Sequence, residues 1–184
     1  MAEARDTIAA RIEQDGSVTF DVPAACEVRT NRAAETEALG KRLAGTLPWG
    51  TVLGLRGDLG AGKTVLARGL ARGLGIREPV TSPTFALVQE YPVSPNRWFF
   101  HLDMYRIGDE CSAVAFGIEE YLFQPDGITV IEWPERIQRL LASERDAERL
   151  CWIEIECEND DRRRIRLRGQ PLHAFCERQR DAAK

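Results

Sequence analysis

At 184 residues and 20.7 kDa the chain suits one compact domain, and 43% hydrophobic with 29% charged residues excludes a disordered or fibrous polymer. A net charge of −4 and a pI near 5.4 exclude a molecule-wide field that gathers phosphate backbones, so any nucleic-acid contact has to be local or carried by a partner. No apolar run approaches the roughly 20 residues that cross a bilayer, and the opening residues mix Glu, Asp and Arg without an export signal, so a cytoplasmic protein without membrane contact is expected.

In chain order, residues 1–27 read as an N-terminal extension in which Ser17 to Val22 alternates like an edge strand or an ordered arm. A helix follows from Thr30, with Thr30 or Asn31 as cap and Ala34, Ala38, Leu39 and Leu43 on one face, ended by Pro48 and Gly50. Thr51 to Leu55 is an apolar strand that runs into Gly57-Asp58-Leu59-Gly60-Ala61-Gly62-Lys63-Thr64. A helix then places Leu66, Leu70 and Leu74 four residues apart and stops at Gly75. Beyond the loop Thr81-Ser82-Pro83-Thr84, a strand from Phe85 to Glu90 is expected, broken by Pro92 and Pro95.

A second strand, Trp98 to Leu102, delivers Asp103 at its end, and Asp109 to Leu122 reads as a helix interrupted near Gly117. The strand Ile128 to Ile131 ends at Glu132, and Pro134 opens a helix through Leu140 and Leu141. Cys151 to Glu158 and Arg162 to Arg168 form a hairpin about Asn159-Asp160-Asp161. Its register sets Glu158, Glu156 and Glu154 opposite Arg162, Arg164 and Arg166, with Ile155 and Ile153 opposite Ile165 and Leu167 on the other face. Residues 28–170 thus form the domain, and 171–184 a tail or short helix. The five cysteines contain no CxxC pair and are expected as thiols; with only two histidines a structural zinc is not expected.

The chemistry lies in Gly57 to Thr64, a GxxxxGK[ST] phosphate loop in its confirming context of strand before and helix after. Its glycines let successive backbone N–H groups turn toward a phosphate, the helix N-terminus adds partial positive charge, Lys63 reaches the β- and γ-phosphates, and Thr64 offers its hydroxyl to Mg²⁺. Such a loop needs an acid for the metal and a group that orients the attacking water. Asp103 and Glu132 both stand at the carboxyl ends of apolar strands, where open α/β sheets bind ligands. Thr84 stands one helix after the loop, where a mobile threonine can sense the γ-phosphate. The arginines of the hairpin read as a solvated ionic face rather than a nucleic-acid surface.

The series GDLGAGKT, TSPTF, HLDMYR and IEWPER, in that order within one short chain, closely resembles the TsaE family, formerly YjeE, over about Thr30 to Arg168. The resemblance implies a single P-loop NTPase domain of the α/β class, with a central mixed sheet flanked by helices and a C-terminal antiparallel hairpin. It implies an ATPase, weak alone and partner-dependent, required for threonylcarbamoyladenosine formation in tRNA. Its partners would be TsaD and TsaB, with tRNA reached through the complex. It implies that ATP is held by Asp58, Leu59, Gly60, Ala61, Gly62, Lys63 and Thr64, with Thr36 beside the adenine, and that Mg²⁺ is held by Thr64 and Glu132. Asp103 becomes the acid important for hydrolysis, Lys63 a catalytic cation and Thr84 the switch threonine. The alternative is a small-molecule kinase, which needs an acceptor pocket and usually an arginine-rich lid. A GTPase is disfavoured because no Asn-Lys-x-Asp or Thr-Lys-x-Asp guanine reader occurs.

Overall fold

The computed structural model describes residues 9–12, 18–21, 24–142 and 147–182. Its strands are β1 (Ala9–Ile12), β2 (Val18–Asp21), β3 (Ala24–Thr30), β4 (Val52–Arg56), β5 (Val88–Ser94), β6 (Arg97–Asp103), β7 (Gly127–Glu132), β8 (Leu150–Cys157) and β9 (Arg163–Arg168). The helices are α1 (Ala33–Ala44), α2 (Lys63–Gly73), α3 (Glu110–Ala115), α4 (Gln138–Leu141) and α5 (His173–Ala182). β1 and β2 pair with each other, so the expected N-terminal strand exists over Val18–Asp21, while Ser17 and Val22 lie outside the described residues.

The remaining seven strands form one mixed sheet in the order β3-β9-β8-β4-β7-β6-β5. β8, β4, β7 and β6 run parallel, and the antiparallel strands β9 and β3 on one side and β5 on the other complete it. Alternation splits each central strand between two cores. Leu53 and Leu55 of β4, Ile128 and Val130 of β7, and Cys151, Ile153 and Ile155 of β8 face Leu39, Leu43, Leu66 and Leu70 of α1 and α2. Val52, Ile131, Leu150 and Trp152 face the opposite side, with Ala113, Ile137 and Leu141.

The α1–α2 crossing holds α2, whose first turn closes the phosphate loop, and glycines make the crossing close. A Cβ on Gly69 would lie 2.1 Å from the carbonyl oxygen of Glu37, and one on Gly40 would lie 2.4 Å from that of Leu66. Both obstacles are backbone and cannot rotate away. Alanine gains about 1 kcal/mol of helix propensity over glycine, whereas forcing packed backbones apart costs about 3 kcal/mol. Gly69→Ala is therefore expected to destabilise the protein by about 2 kcal/mol, read as a lower urea midpoint at unchanged m-value. A midpoint at or above the parent's would show that the crossing is not tight.

The hairpin register is as expected, with Ile153, Glu154, Ile155 and Glu156 opposite Leu167, Arg166, Ile165 and Arg164. The side-chain ion pairs also run diagonally: Arg164 bonds Glu158 at 2.9 Å, Arg166 bonds Glu156 at 2.5 Å, and Arg168 lies 3.5 Å from Glu154. β3 adds Arg29 beside Glu158 and Glu27 beside Arg166, so the charged face spans three strands.

Other expectations need correction. The boundary at residue 28 cuts through β3, which pairs with β9 from Ala24 onward; a half-exposed edge strand carries too weak an alternation to read before its partner is known. That pairing brings Cys26 opposite Leu167, where α5 packs, and Cys26 is joined there to Cys176 by a disulfide. The expectation of five thiols is thus overturned, and Cys111, Cys151 and Cys157 alone are free. Residues 171–184, left between tail and helix, contain α5.

α1 takes Arg32 as its cap, and Glu35 reaches back to accept the Asn31 N–H at 2.8 Å, which replaces the expected Thr or Asn cap. The strand expected from Phe85 begins at Val88, because Leu87 adopts φ 65° and its N–H closes onto the Pro83 carbonyl at 2.7 Å. It then runs through Pro92 to Ser94, since an edge strand has one side that needs no donor.

Candidate active site

Register across three parallel strands builds the site. Leu55 of β4 pairs with Glu132 of β7, and Glu132 pairs with Asp103 of β6, so both acids stand level with the start of the phosphate loop. Phe99, His101 and Asp103 alternate onto one face of β6, and Ile128, Val130 and Glu132 onto the same face of β7, the face covered by α2. The first turn of α2 begins with Lys63 and Thr64, and the cleft between them and the strand ends holds about 340 Å³. Leu59, Gly60, Gly62, Lys63, Thr64, Ser82, Thr84, Asp103, Tyr105, Glu132 and Trp133 line it.

Lys63 is 4% exposed, and its ammonium donates to the carbonyls of Gly57 at 2.6 Å and Asp58 at 2.9 Å. Burial lowers its pKa, and the nearby carboxylates of Glu132, Glu135, Asp103 and Asp58 oppose that shift. The Trp133 ring lies 3.8 Å from the same nitrogen, a cation–π contact made possible because Trp133 adopts φ 58° and turns its ring back over the loop. A left-handed tryptophan costs about 1–3 kcal/mol of local strain. Tyr105 packs against it with ring centroids 5.2 Å apart.

Glu132 is 3% exposed, and its Oε1 accepts from Thr64 Oγ1 at 2.7 Å and from His101 Nε2 at 2.9 Å. One carboxylate oxygen is thereby fixed by two donors from two different elements. Asp103 is also 3% exposed, and its two oxygens have separate duties. Oδ1 accepts the Tyr105 N–H at 2.9 Å, and Oδ2 accepts from Ser82 and from Thr84, the latter at 2.9 Å. Thr84 and Asp103 are therefore joined directly, and the loop 81–84 is latched onto the acid by two hydroxyls.

Gly60 and Gly62 adopt φ 79° and 112°, the left-handed turns that bend the loop. The carbonyl of Asp58 accepts from Lys63 and from the Ala61 N–H at 3.1 Å, while Ala61 is packed into the core. Leu59 is 77% exposed at the mouth of the cleft. Thr36 is buried beneath the loop: its methyl lies 3.9 Å from where a Gly62 Cβ would stand, and its hydroxyl is 2.8 Å from that of Thr30.

Sequence reasoning passed over three participants. His101 stands two residues before Asp103 in HLDMYR, a spacing that puts both on one strand face and that could have found it. Ser82 shares the latch with Thr84. Arg163 touches the phosphate loop from the hairpin, and its alternation with Ile165 and Leu167 is the signal that separates it from the other arginines.

A model of the family described as threonylcarbamoyl adenosine biosynthesis protein TsaE matches residues 30–165. A protein of Bacillus subtilis named tRNA threonylcarbamoyladenosine biosynthesis protein TsaE is 39% identical over 153 residues, covering 81% of this chain and 90% of its own. One of the same name from Synechocystis is 46% identical over 109 residues, covering 57% and 68%. Among solved structures, the crystal structure of YdiB from Bacillus subtilis superposes with a TM-score of 0.69 at 30% identity, over 90% of this chain and all of that one. Matched by the family model over most of its length, with the phosphate loop and both acids inside the match, the chain belongs to the TsaE family of tRNA threonylcarbamoyladenosine biosynthesis.

Proposed function

We propose that this chain binds and hydrolyses Mg-ATP in the cleft above β4, β7 and β6, and that it does so with TsaB and TsaD in the cytoplasm to support or reset threonylcarbamoyladenosine formation on tRNA. One observation carries the reading: Lys63, Thr64, Glu132 and Asp103 converge from three chain segments on one cleft at the carboxyl ends of parallel strands. The donor set suits Mg²⁺, which prefers oxygen ligands, keeps several waters and takes one or two carboxylates plus phosphate oxygens. Thr64 and Glu132 would hold it, and among the described residues no group of three or more His, Cys, Asp or Glu forms a self-sufficient metal cage, as suits a cation shared with a nucleotide. Bound Mg²⁺ supplies positive charge against the phosphate oxygens.

The residues of the chain have distinct tasks in this reading. The loop amides and Lys63 bind the phosphates, and Lys63 leaves the carbonyls of Gly57 and Asp58 to do so. Asp103 orients the attacking water, and its release of Thr84 couples the loop 81–84 to the nucleotide state. tRNA is reached through the partners, because Arg164, Arg166 and Arg168 are paired with glutamates and free cations are what displace counterions from a phosphate backbone.

The test mixes the purified protein with labelled tRNA at near-physiological salt, then adds TsaB–TsaD with ATP or a non-hydrolysable analogue. ATP turnover is followed alone, with the partners and with small hydroxyl acceptors. Weak tRNA binding alone, association with the partners that depends on the nucleotide, and turnover raised by them and not by small acceptors are expected. Tight tRNA binding by this chain alone together with nucleotide-independent behaviour toward TsaB–TsaD overturns the partner reading, and phosphate transfer to an acceptor would make it a kinase.

A further inference from the structure

The arginine run of the hairpin contains one residue with a different environment. Arg164, Arg166 and Arg168 point to the ionic face, but Arg163 shares its face of β9 with the buried Ile165 and Leu167 and continues that row to its end. Beyond that end lies the phosphate loop. The Arg163 Nε donates to the carbonyl of Ala61 at 2.9 Å, while Nη1 donates to the carbonyls of Asn159 at 3.1 Å and Asp160 at 2.9 Å in the hairpin turn, with that of Arg162 at 3.3 Å. One planar guanidinium thus ties the turn at 159–161 to the middle of the phosphate loop. The loop rests on the same hairpin a second time at Gly57, where a Cβ would stand 2.4 Å from the Ile155 carbonyl oxygen.

We propose that Arg163 is a positioning residue for phosphate binding, which sets the orientation of the Ala61–Gly62 peptide from the β8–β9 hairpin. The peptide unit is planar and trans, so its carbonyl and its N–H point in opposite senses. Holding the Ala61 carbonyl toward the hairpin therefore turns the Gly62 N–H away from it, toward the concave side of the loop where an anion is gathered. Gly62 sits at φ 112°, in a region that its own backbone does not strongly favour over its alternatives, so an external anchor has a peptide flip to prevent. Lys63 follows directly, and its ammonium bonds to the two carbonyls at the other end of the loop. The hairpin turn and the nucleotide site are therefore one mechanical unit: whatever displaces residues 159–161 loosens the amide cradle. The consequence for affinity rests on the nucleotide reading above, whereas the consequence for the Gly62 amide does not.

The test uses the full chain with Arg163→Ala, Arg163→Lys and Arg163→Gln, and Arg166→Ala as a control on the ionic face. Amide hydrogen exchange across residues 57–62 is measured without nucleotide, and ATP affinity and turnover are measured at a temperature well below each variant's melting point. Arg163→Ala is expected to speed exchange of the loop amides and to raise the ATP Kd about tenfold, with kcat at saturating ATP changed much less. Arg163→Gln and Arg163→Lys, which keep donors but not the fork, should fall between the alanine variant and the parent. Arg166→Ala should leave loop exchange and affinity at parental values. A role confined to stability would lower the melting temperature without moving loop exchange or Kd, and that result in any folded Arg163 variant overturns the proposal. If the parent itself binds no ATP, the ATPase reading fails, and unchanged or faster exchange at residues 57–62 still judges the anchor.

Discussion

Lys63→Ala is expected to weaken ATP binding by about 100-fold and to remove measurable hydrolysis, while leaving the melting temperature equal or slightly higher. Holding this side chain where it is has a cost. Lys63 is buried, burial disfavours its charge, and it is kept in place by carbonyls of its own loop and by the face of Trp133. Those contacts offset desolvation in the free protein and do little beyond that. A triphosphate replaces neutral carbonyls with full negative charge, so the contact gains most of its strength only when the nucleotide is present. A charge-assisted bond of this kind contributes about 3 kcal/mol, which sets the scale of the loss. Removing the side chain also takes away the desolvated charge, so stability should not fall with affinity. Calorimetric titration with ATP and a thermal melt of the same sample check both halves. Unchanged affinity and turnover would remove the phosphate-loop assignment, and loss of affinity together with a large drop in melting temperature would show a folding defect instead.

What could be read in the sequence follows from where local pattern and global structure agree. The unit β4, phosphate loop and α2 is legible because three independent signals coincide there: an apolar strand, fixed glycines and leucines at helical spacing. The register of β8 and β9 is legible because a three-residue turn between two alternating strands leaves few other ways to bury Ile153, Ile155, Ile165 and Leu167 together. Both acids could be placed at strand ends because apolar runs stop there. That they stand side by side was not legible, since the order β4-β7-β6 is set by crossovers rather than by any one segment. β3 was missed for the same reason, its pairing with β9 joining distant parts of the chain, and Cys26 with Cys176 follows from that pairing. His101 and Arg163 were missed because their duties are defined by what lies across from them. Glu132 makes His101 a carboxylate anchor, and the carbonyl of Ala61 makes Arg163 more than one arginine in a charged run.

The two acids should separate in their kinetics. Glu132 presents one oxygen to both Thr64 and His101, which fixes the carboxylate beside the hydroxyl that would share the cation with it. Glu132→Ala should therefore raise the Mg²⁺ concentration needed for half-maximal ATP binding by about tenfold or more. Asp103 is hydrogen-bonded to neither Thr64 nor Lys63; its oxygens hold the Tyr105 amide and the hydroxyls of Ser82 and Thr84. Its removal frees the loop 81–84 and takes away the acid proposed to orient water, so Asp103→Ala should lower kcat by about 100-fold while the ATP Kd stays within about threefold of the parent. Thr84→Val distinguishes the two duties of Asp103, because it breaks one strand of the latch and leaves the carboxylate in place. If orienting water is the larger duty, Thr84→Val should lose much less turnover than Asp103→Ala. Equal losses would instead assign the effect to the latch. Magnesium titrations of nucleotide binding, paired with single-turnover hydrolysis, read these quantities separately. The opposite pattern, with Asp103→Ala shifting the magnesium requirement and Glu132→Ala sparing it, would exchange the roles of the acids, and parental behaviour in both variants would reject the site.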